Sequence, residues 1–294
     1  MSPAPTLMNV AEMPASDQPE GIRGRLPGRV AVLGAGKMGG ILTAAFLRTG
    51  LLQPVQIVTT VAHNERARTL ESRLGVRCLT DNRAAAEGAD IILLGVKPTQ
   101  IADLVREIQP HLTTSTVLIS IAASVTIPAI EAIAGEGIPV IRAMPNTPAT
   151  LGAGMTALVR GRFATAEHMA TAEQMFRTVG RTVTLDEKHM DAVTGLSGSG
   201  PAFLYIILEA LAEAGVNVGL PRDIATELAA QTAYGAARMV LETGAHPALL
   251  KDEVTTPAGC TVDGILELEE GGLRVTLIKA VKRATERARA LARG

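Results

Sequence analysis

Gly34-Ala35-Gly36-Lys37-Met38-Gly39 follows directly on a β-branched run and opens an apolar helical stretch. A Gly-x-Gly-x-x-Gly run in that place suits dinucleotide binding. Gly34 permits a tight turn, Gly36 lets the backbone approach a pyrophosphate, and Gly39 lets the helix pack on the strand. The helix start then offers free N–H donors and a positive dipole end to phosphate oxygens. After the next candidate strand, an NAD site usually places a carboxylate for the ribose hydroxyls. Here the chain reads Thr59-Thr60-Val61-Ala62-His63-Asn64, with no carboxylate before Glu65. Threonine hydroxyls and Arg66 or Arg68 would welcome a 2′-phosphate, so NADPH is expected, with NADH a weaker substitute. At least one of the two arginines is expected to face solvent.

Four further segments combine polar groups with a constrained backbone. Val96-Lys97-Pro98 ends an all-apolar strand, where the ligand crevice of an open parallel sheet lies; a plain surface lysine is the alternative. Arg142-Ala143-Met144-Pro145-Asn146-Thr147-Pro148 makes a loop stiffer than a connection requires. Leu196-Ser197-Gly198-Ser199-Gly200-Pro201-Ala202 places Pro201 well for a first helical turn, with Ser199 or Gly200 as the cap. Val254-Thr255-Thr256-Pro257-Ala258-Gly259-Cys260-Thr261 leads into another helix whose start could hold a carboxylate on backbone N–H groups. An ordinary helix capped by Thr261 reads equally from the spacing. Cys260 is expected to be a small packed residue rather than a nucleophile, and the five histidines show no ligand spacing. No metal site is expected.

These segments need elements to hold them. Arg29–Leu33, Gln56–Thr60, Val76–Leu79, Ile91–Val96, Val117–Ile121 and Val140–Arg142 read as strands. Helical stretches separate them, at Ile41–Arg48, Asn64–Leu74, Arg83–Glu87, Thr99–Ile108 and Ile127–Ala134. That alternation implies crossover units and a doubly wound, mostly parallel sheet. Met155–Val159 and Arg181–Leu185 read as further strands around a helix at Ala166–Val179. After about Glu187 the strands stop. Helices are expected at Pro201–Ala214, Arg222–Glu242, Thr261–Glu269 and Leu273–Arg293, with breaks at Gly215, Gly219-Leu220-Pro221, Gly244 and Gly271-Gly272. Two of them are apolar or small over more than one stripe, which calls for a dimer. The expected organisation is α/β: a disordered tail over 1–27, a nucleotide-binding domain over 28–187, and an all-α domain over 188–294.

Bulk composition narrows the classes. Hydrophobic residues make up 47% of the 294, yet aromatics only 2%, so the core must rely on Ala, Val, Leu, Ile and Met. The formal net charge of −1 leaves no footprint for nucleic acid or anionic lipid. The apolar runs Ile91–Val96 and Ala202–Leu208 are too short to span a bilayer. Two distant cysteines fit a reducing cytoplasm, and the first 27 residues lack the apolar centre of a secretory signal.

Taken in order, the motifs resemble those of the pyrroline-5-carboxylate reductase family. The match includes Gly34–Gly39, Val96-Lys97-Pro98, Arg142–Pro148, Thr194–Ala202, Leu220-Pro221-Arg222, Gln231-Thr232, Gly235-Ala236-Ala237, His246-Pro247, Leu250-Lys251 and the Thr255–Thr261 loop. It spans residues 28 to about 293. The resemblance implies a Rossmann domain followed by a helical domain that interlocks two subunits, often within rings of dimers. It implies cofactor contacts at Gly34, Ala35, Gly36, Lys37, Met38, Gly39, Thr59, Thr60, Asn82, Val96, Lys97 and Pro98, with Ala122 and Ala123 near the nicotinamide. It further implies that Thr261 hydrogen-bonds the substrate nitrogen, while the backbone of Thr256, Pro257, Ala258, Gly259 and Cys260 holds the substrate carboxylate. The family loop usually reads Pro-Gly-Gly-x-Thr, and Ala258 replaces its first glycine. Val61–Asn64 also departs from the usual composition.

The expected reaction reduces 1-pyrroline-5-carboxylate to L-proline, the last step of proline biosynthesis. A protonated imine already invites hydride attack, so no strong acid is demanded, and the motifs contain no histidine or paired carboxylates. One rival is another NADP-dependent imine or 3-hydroxyacid dehydrogenase of the same architecture. The latter needs a base, and Lys188, Lys251, Lys279 and Lys282 lie outside the expected glycine-rich setting. A non-catalytic NADPH-binding regulator is the other rival; loss of Thr261 or of the Ser197–Ala202 segment would favour it, and both are present.

Overall fold

A computed structural model describes residues 26, 28–256 and 259–292. The expected tail over 1–27 therefore lies, but for Leu26, outside the described residues. The described chain forms two compact units. One comprises the residues through Gly198 together with those from Thr285 onward; the other is Ser199–Ala284.

The first unit is built on one sheet of eight strands, in the order β3-β2-β1-β4-β5-β6-β7-β8. Its strands are β1 (Val30–Leu33), β2 (Ile57–Thr60), β3 (Arg77–Leu79), β4 (Ile91–Leu94), β5 (Val117–Ser120), β6 (Val140–Met144), β7 (Gly154–Arg160) and β8 (Gly180–Thr184). All neighbours run parallel except β6 and β7. The helices α1 (Lys37–Arg48), α2 (Asn64–Leu74), α3 (Asn82–Ala86), α4 (Ile101–Ile108), α5 (Ile127–Ala134) and α6 (Ala166–Arg177) link the strands. Every residue of β1, β2, β4 and β5 is buried, as expected of strands covered on both faces, and β1 and β4 are apolar throughout. Val30, Val32, Ile91 and Leu93 feed one core, with Phe46 and Phe176. Ala31, Leu33, Ile92 and Leu94 feed the other, with Ile101 and Ile108. The strand order reverses between β1 and β4, which opens a crevice at their carboxyl ends.

The change of texture near Glu187 is a change to helices. They are α7 (Met190–Val193), α8 (Gly200–Asn217), α9 (Arg222–Thr243), α10 (Pro247–Val254), α11 (Cys260–Glu270) and α12 (Leu273–Ala292). The expected start at Ser199-Gly200-Pro201 is not a clean one. Thr194–Gly198 forms a π-helical segment that joins α7 to α8, and Ser199 has helical backbone angles with no side-chain cap bond. As a result, Glu187–Asn217 is one continuous helical stretch of 31 residues, long and apolar enough to cross a membrane. Individual apolar runs, read from sequence, understated that length. His246 caps α10, an element with no clear period in the sequence.

In the second unit α8 and α9 pack through small residues: a Cβ on Gly215 would stand 2.9 Å from the Cβ of Ala225. Among its described residues only Ala212 and Ala225 are buried hydrophobics, while Leu204, Tyr205, Ile206, Leu211 and Leu228 stay about half exposed or more. Such a surface is too apolar for a free helical unit.

Candidate active site

The first glycine run forms a wedge at the end of β1. Gly34 has φ of +88°, and a Cβ there would meet Val96 Cγ1 at 2.7 Å. Its carbonyl oxygen is hemmed in, because a Cβ on Gly39 or on Gly95 would approach it to 2.7 Å. The Gly36 amide donates to the same oxygen at 2.7 Å. Gly36 itself is different: a Cβ there would find only that oxygen, at 4.0 Å. Two of the motif's glycines are thus demanded by packing, and one keeps space open outside the turn. Gly36 is the N-cap of α1 and no side chain caps the helix. The amides at the start of α1 are left for an anion, which the bare helix end favours. The site therefore fits a dinucleotide pyrophosphate.

A hydrogen-bonded chain supports the wedge from below. Gly34 N donates to Thr60 Oγ1 at 3.0 Å, and Thr60 Oγ1 donates to Asn82 Oδ1 at 2.8 Å. Asn82 Nδ2 then donates to a Glu107 carboxylate oxygen at 3.0 Å. Asp81 caps α3, which fixes where Asn82 starts. Thr59 is fully buried, its hydroxyl 3.5 Å from the Arg77 carbonyl. Each of the two threonine hydroxyls thus has a protein partner in the free protein, on opposite faces of the strand. Of the two arginines, Arg66 lines a cavity with Gly36 and Lys37, and Arg68 is exposed outside it. Cys78, on β3, is buried, and burial pushes its thiol pKa up, which keeps it protonated and inert.

The ends of β4 and β5 complete this side. Gly95 N donates to Leu33 O at 2.7 Å, bringing Val96 against Gly34. Lys97 is exposed and precedes a single 3-10 turn begun by Pro98. Ala122 is buried and Ala123 half-buried just past β5. Ser124 follows with φ of +62°, and its hydroxyl donates to Ala288 O at 3.0 Å in the last turns of α12. Parallel neighbours in the order β2-β1-β4-β5 thus gather Gly34–Gly39, Thr60, Val96–Pro98 and Ala122–Ala123 at one edge.

The two prolyl and seryl segments meet each other. Asn146 Nδ2 donates to Ser197 O at 3.2 Å and lies 3.3 Å from its hydroxyl, while Asn146 Oδ1 accepts from Met155 N at 2.9 Å. The rigid loop after β6 therefore serves to hold the π-helical segment. Arg142, nearly fully buried, pairs with Glu187 at 2.8 Å; the same carboxylate oxygen accepts from Ile127 N at 3.2 Å. Sequence spacing singled out Arg142 but offered no partner, since Glu187 lies in no motif.

In the helical unit, Gly259 N donates to Thr256 O at 2.9 Å, closing a turn in front of α11. Pro257 and Ala258 lie outside the described residues, and with them the question of alanine at that turn. Gly259 is the N-cap and no side chain caps α11. Thr261 sits one position inside the helix, half-buried, so it is not the cap. Cys260 is exposed. This is a second helix start whose first amides no capping side chain occupies.

Comparison with known proteins places this architecture. Residues 187–291 match the family model for pyrroline-5-carboxylate reductase dimerisation, and residues 29–124 match that for NADP oxidoreductase, coenzyme F420-dependent. The pyrroline-5-carboxylate reductase of Methanosarcina acetivorans is 41% identical over 263 residues, covering 90% of this chain and 97% of the relative. The solved pyrroline-5-carboxylate reductase of Coxiella burnetii superposes with a TM-score of 0.84 at 36% identity, over 90% of this chain and 98% of that one. The Plasmodium falciparum pyrroline carboxylate reductase, solved with NADP bound, gives 0.83 at 28% identity, over 92% and 100%.

Proposed function

The chain belongs to the pyrroline-5-carboxylate reductase family, and from that premise we propose that it reduces the C=N bond of 1-pyrroline-5-carboxylate with NADPH, giving L-proline. What carries the reading is the pair of bare helix starts, α1 behind Gly34–Gly36 and α11 behind Thr256–Gly259. Both lie in a chain that its relatives match over nine-tenths of its length.

When bound, the nicotinamide supplies the hydride, and the protein supplies grip and orientation. The wedge at Gly34, with Ala35, Lys37, Met38 and Gly39 around it, shapes the turn that the pyrophosphate approaches at Gly36. Arg66 favours the 2′-phosphate, and the Thr60–Asn82–Glu107 chain holds the turn in place. Val96, Lys97, Pro98, Ala122 and Ala123 form the wall on the nicotinamide side. The Thr261 hydroxyl hydrogen-bonds the ring nitrogen, and the loop amides before it anchor the substrate carboxylate. The division of labour follows residues 28–187 and 188–294, which the dimerisation match beginning at 187 supports.

A homodimer forms through the helical unit, whose apolar faces need cover. The same need accounts for the length and apolarity of Glu187–Asn217 without a bilayer. Rings of dimers, a cytoplasmic location, and the absence of nucleic-acid or membrane partners complete the proposal.

One assay tests it: consumption of NADPH with pyrroline-5-carboxylate, run beside reduction of NADP by a 3-hydroxyacid. Turnover is expected only in the first. No turnover there, or turnover only in the second, overturns the reading.

A further inference from the structure

Residues of α1 and α2 line a cavity of about 640 Å³, whose apolar lining includes Ile41, Leu70 and Leu74. Its lining carries four cations, Lys37, Arg48, Arg66 and Arg73, and no acidic side chain among the described residues. None of the four forms an ion pair with a described residue. The Arg48 Nε is buried with no hydrogen-bond partner among the described residues, and burial lowers the pKa of its guanidinium. Arg73, on α2, reaches across to α1, where its Nη2 lies 3.7 Å from the position of a Cβ on Gly40.

Arg48 and Arg73 lie in the last turns of their helices, where a cation is favourable in any protein. That accounts for exposed guanidiniums. It does not account for a buried donor left without an acceptor, which costs about 1–3 kcal/mol in general. Nor does it account for two helices directing their cations into one cavity with an apolar lining. Concentrated positive charge over a low-dielectric wall draws an anion, and the apolar lining suits an organic body.

We propose that the part of this cavity beyond the cofactor turn, at Arg48 and Arg73, is a second anion site, which takes a small organic phosphate with its phosphate on those two residues and its apolar part on Ile41, Leu70 and Leu74. The inference rests on the cofactor reading in one respect: Gly36, Lys37 and Arg66 are left to the dinucleotide. The site would report the level of a phosphorylated metabolite beside the cofactor turn.

The test titrates the full chain, with and without saturating NADP, with phenyl phosphate and separately with inorganic phosphate, by calorimetry. Phenyl phosphate is expected to bind once per chain and about tenfold more tightly than inorganic phosphate, the apolar lining supplying the difference. Arg48→Gln and Arg73→Gln should each weaken it about tenfold or more, as expected for loss of a charge-assisted bond, while the KM for NADPH stays within about twofold. Arg73 is exposed, so its variant reports even where Arg48→Gln fails to fold. No saturable binding, or unchanged binding in Arg73→Gln, overturns the proposal. Binding that NADP abolishes assigns the phosphate to the cofactor's own site and overturns it too, leaving the reductase reading untouched. Equal affinity for the two probes overturns the ligand class.

Discussion

Replacing Gly36 by alanine should separate folding from cofactor binding. The backbone there has φ −69° and ψ −152°, on the negative-φ side that alanine accepts. The added methyl would meet only the Gly34 carbonyl oxygen, at 4.0 Å. Removing a glycine's freedom from the unfolded chain stabilises a compatible site by about 0.4–1 kcal/mol. Gly36→Ala should therefore melt at or slightly above the wild-type temperature. Gly95→Ala is the contrast, because its methyl would stand 2.7 Å from that same oxygen. Overpacking of this kind costs about 1–3 kcal/mol, or roughly 2–4 °C per kcal/mol for a unit of this size. Cofactor binding should rank the other way. The Gly36 methyl projects where a phosphate must approach the helix start, and losing one charge-assisted bond costs about 1.5–3 kcal/mol. That raises the NADPH Kd about 10- to 100-fold. Calorimetric melting and fluorescence titration with NADPH read the two effects. Wild-type affinity in a well-folded Gly36→Ala, or a melting loss equal to that of Gly95→Ala, refutes the account of the turn.

Thr261→Ala should cut turnover by about tenfold or more, as expected for one lost substrate hydrogen bond, while leaving NADPH affinity nearly unchanged; steady-state kinetics that match wild type remove Thr261 from the role. Arg66→Ala should raise the NADPH Kd by about tenfold and spare NADH, with Arg68→Ala neutral, and an equal effect on both cofactors would refute that assignment. Thr60→Val strips Gly34 N and Asn82 of their partner and should lower stability by about 1–3 kcal/mol, measured by denaturant titration; a neutral result would mean the supporting chain carries nothing. Ser124→Ala keeps the positive φ but loses the bond to Ala288, whereas Ser124→Gly loses the bond and the strain. The glycine variant should be the more stable by about 1 kcal/mol, and the reverse order would show that Ser124 is unstrained.

The sequence by itself determined the doubly wound sheet, since all-apolar runs such as Ile91–Leu94 have no place except between two helical layers. It also marked both helix starts, because a glycine turn and a hydroxyl-rich turn announce themselves by local conformation alone. The antiparallel step from β6 to β7 was not legible, as short strands with the same composition run either way. Nor were the partners of the motif residues. Asn146 on Ser197, Arg142 on Glu187 and Ser124 on Ala288 join positions 45 to 164 apart in the chain. Residue type can say that a buried arginine or asparagine needs a partner, but only the folded path decides which one comes within reach. The same holds for Thr59 and Thr60, whose partners, the Arg77 carbonyl for one and Gly34 N with Asn82 for the other, come from distant segments. The three glycines of the turn look alike in sequence, yet packing around one carbonyl oxygen decides that two are structural and one is kept clear for a ligand.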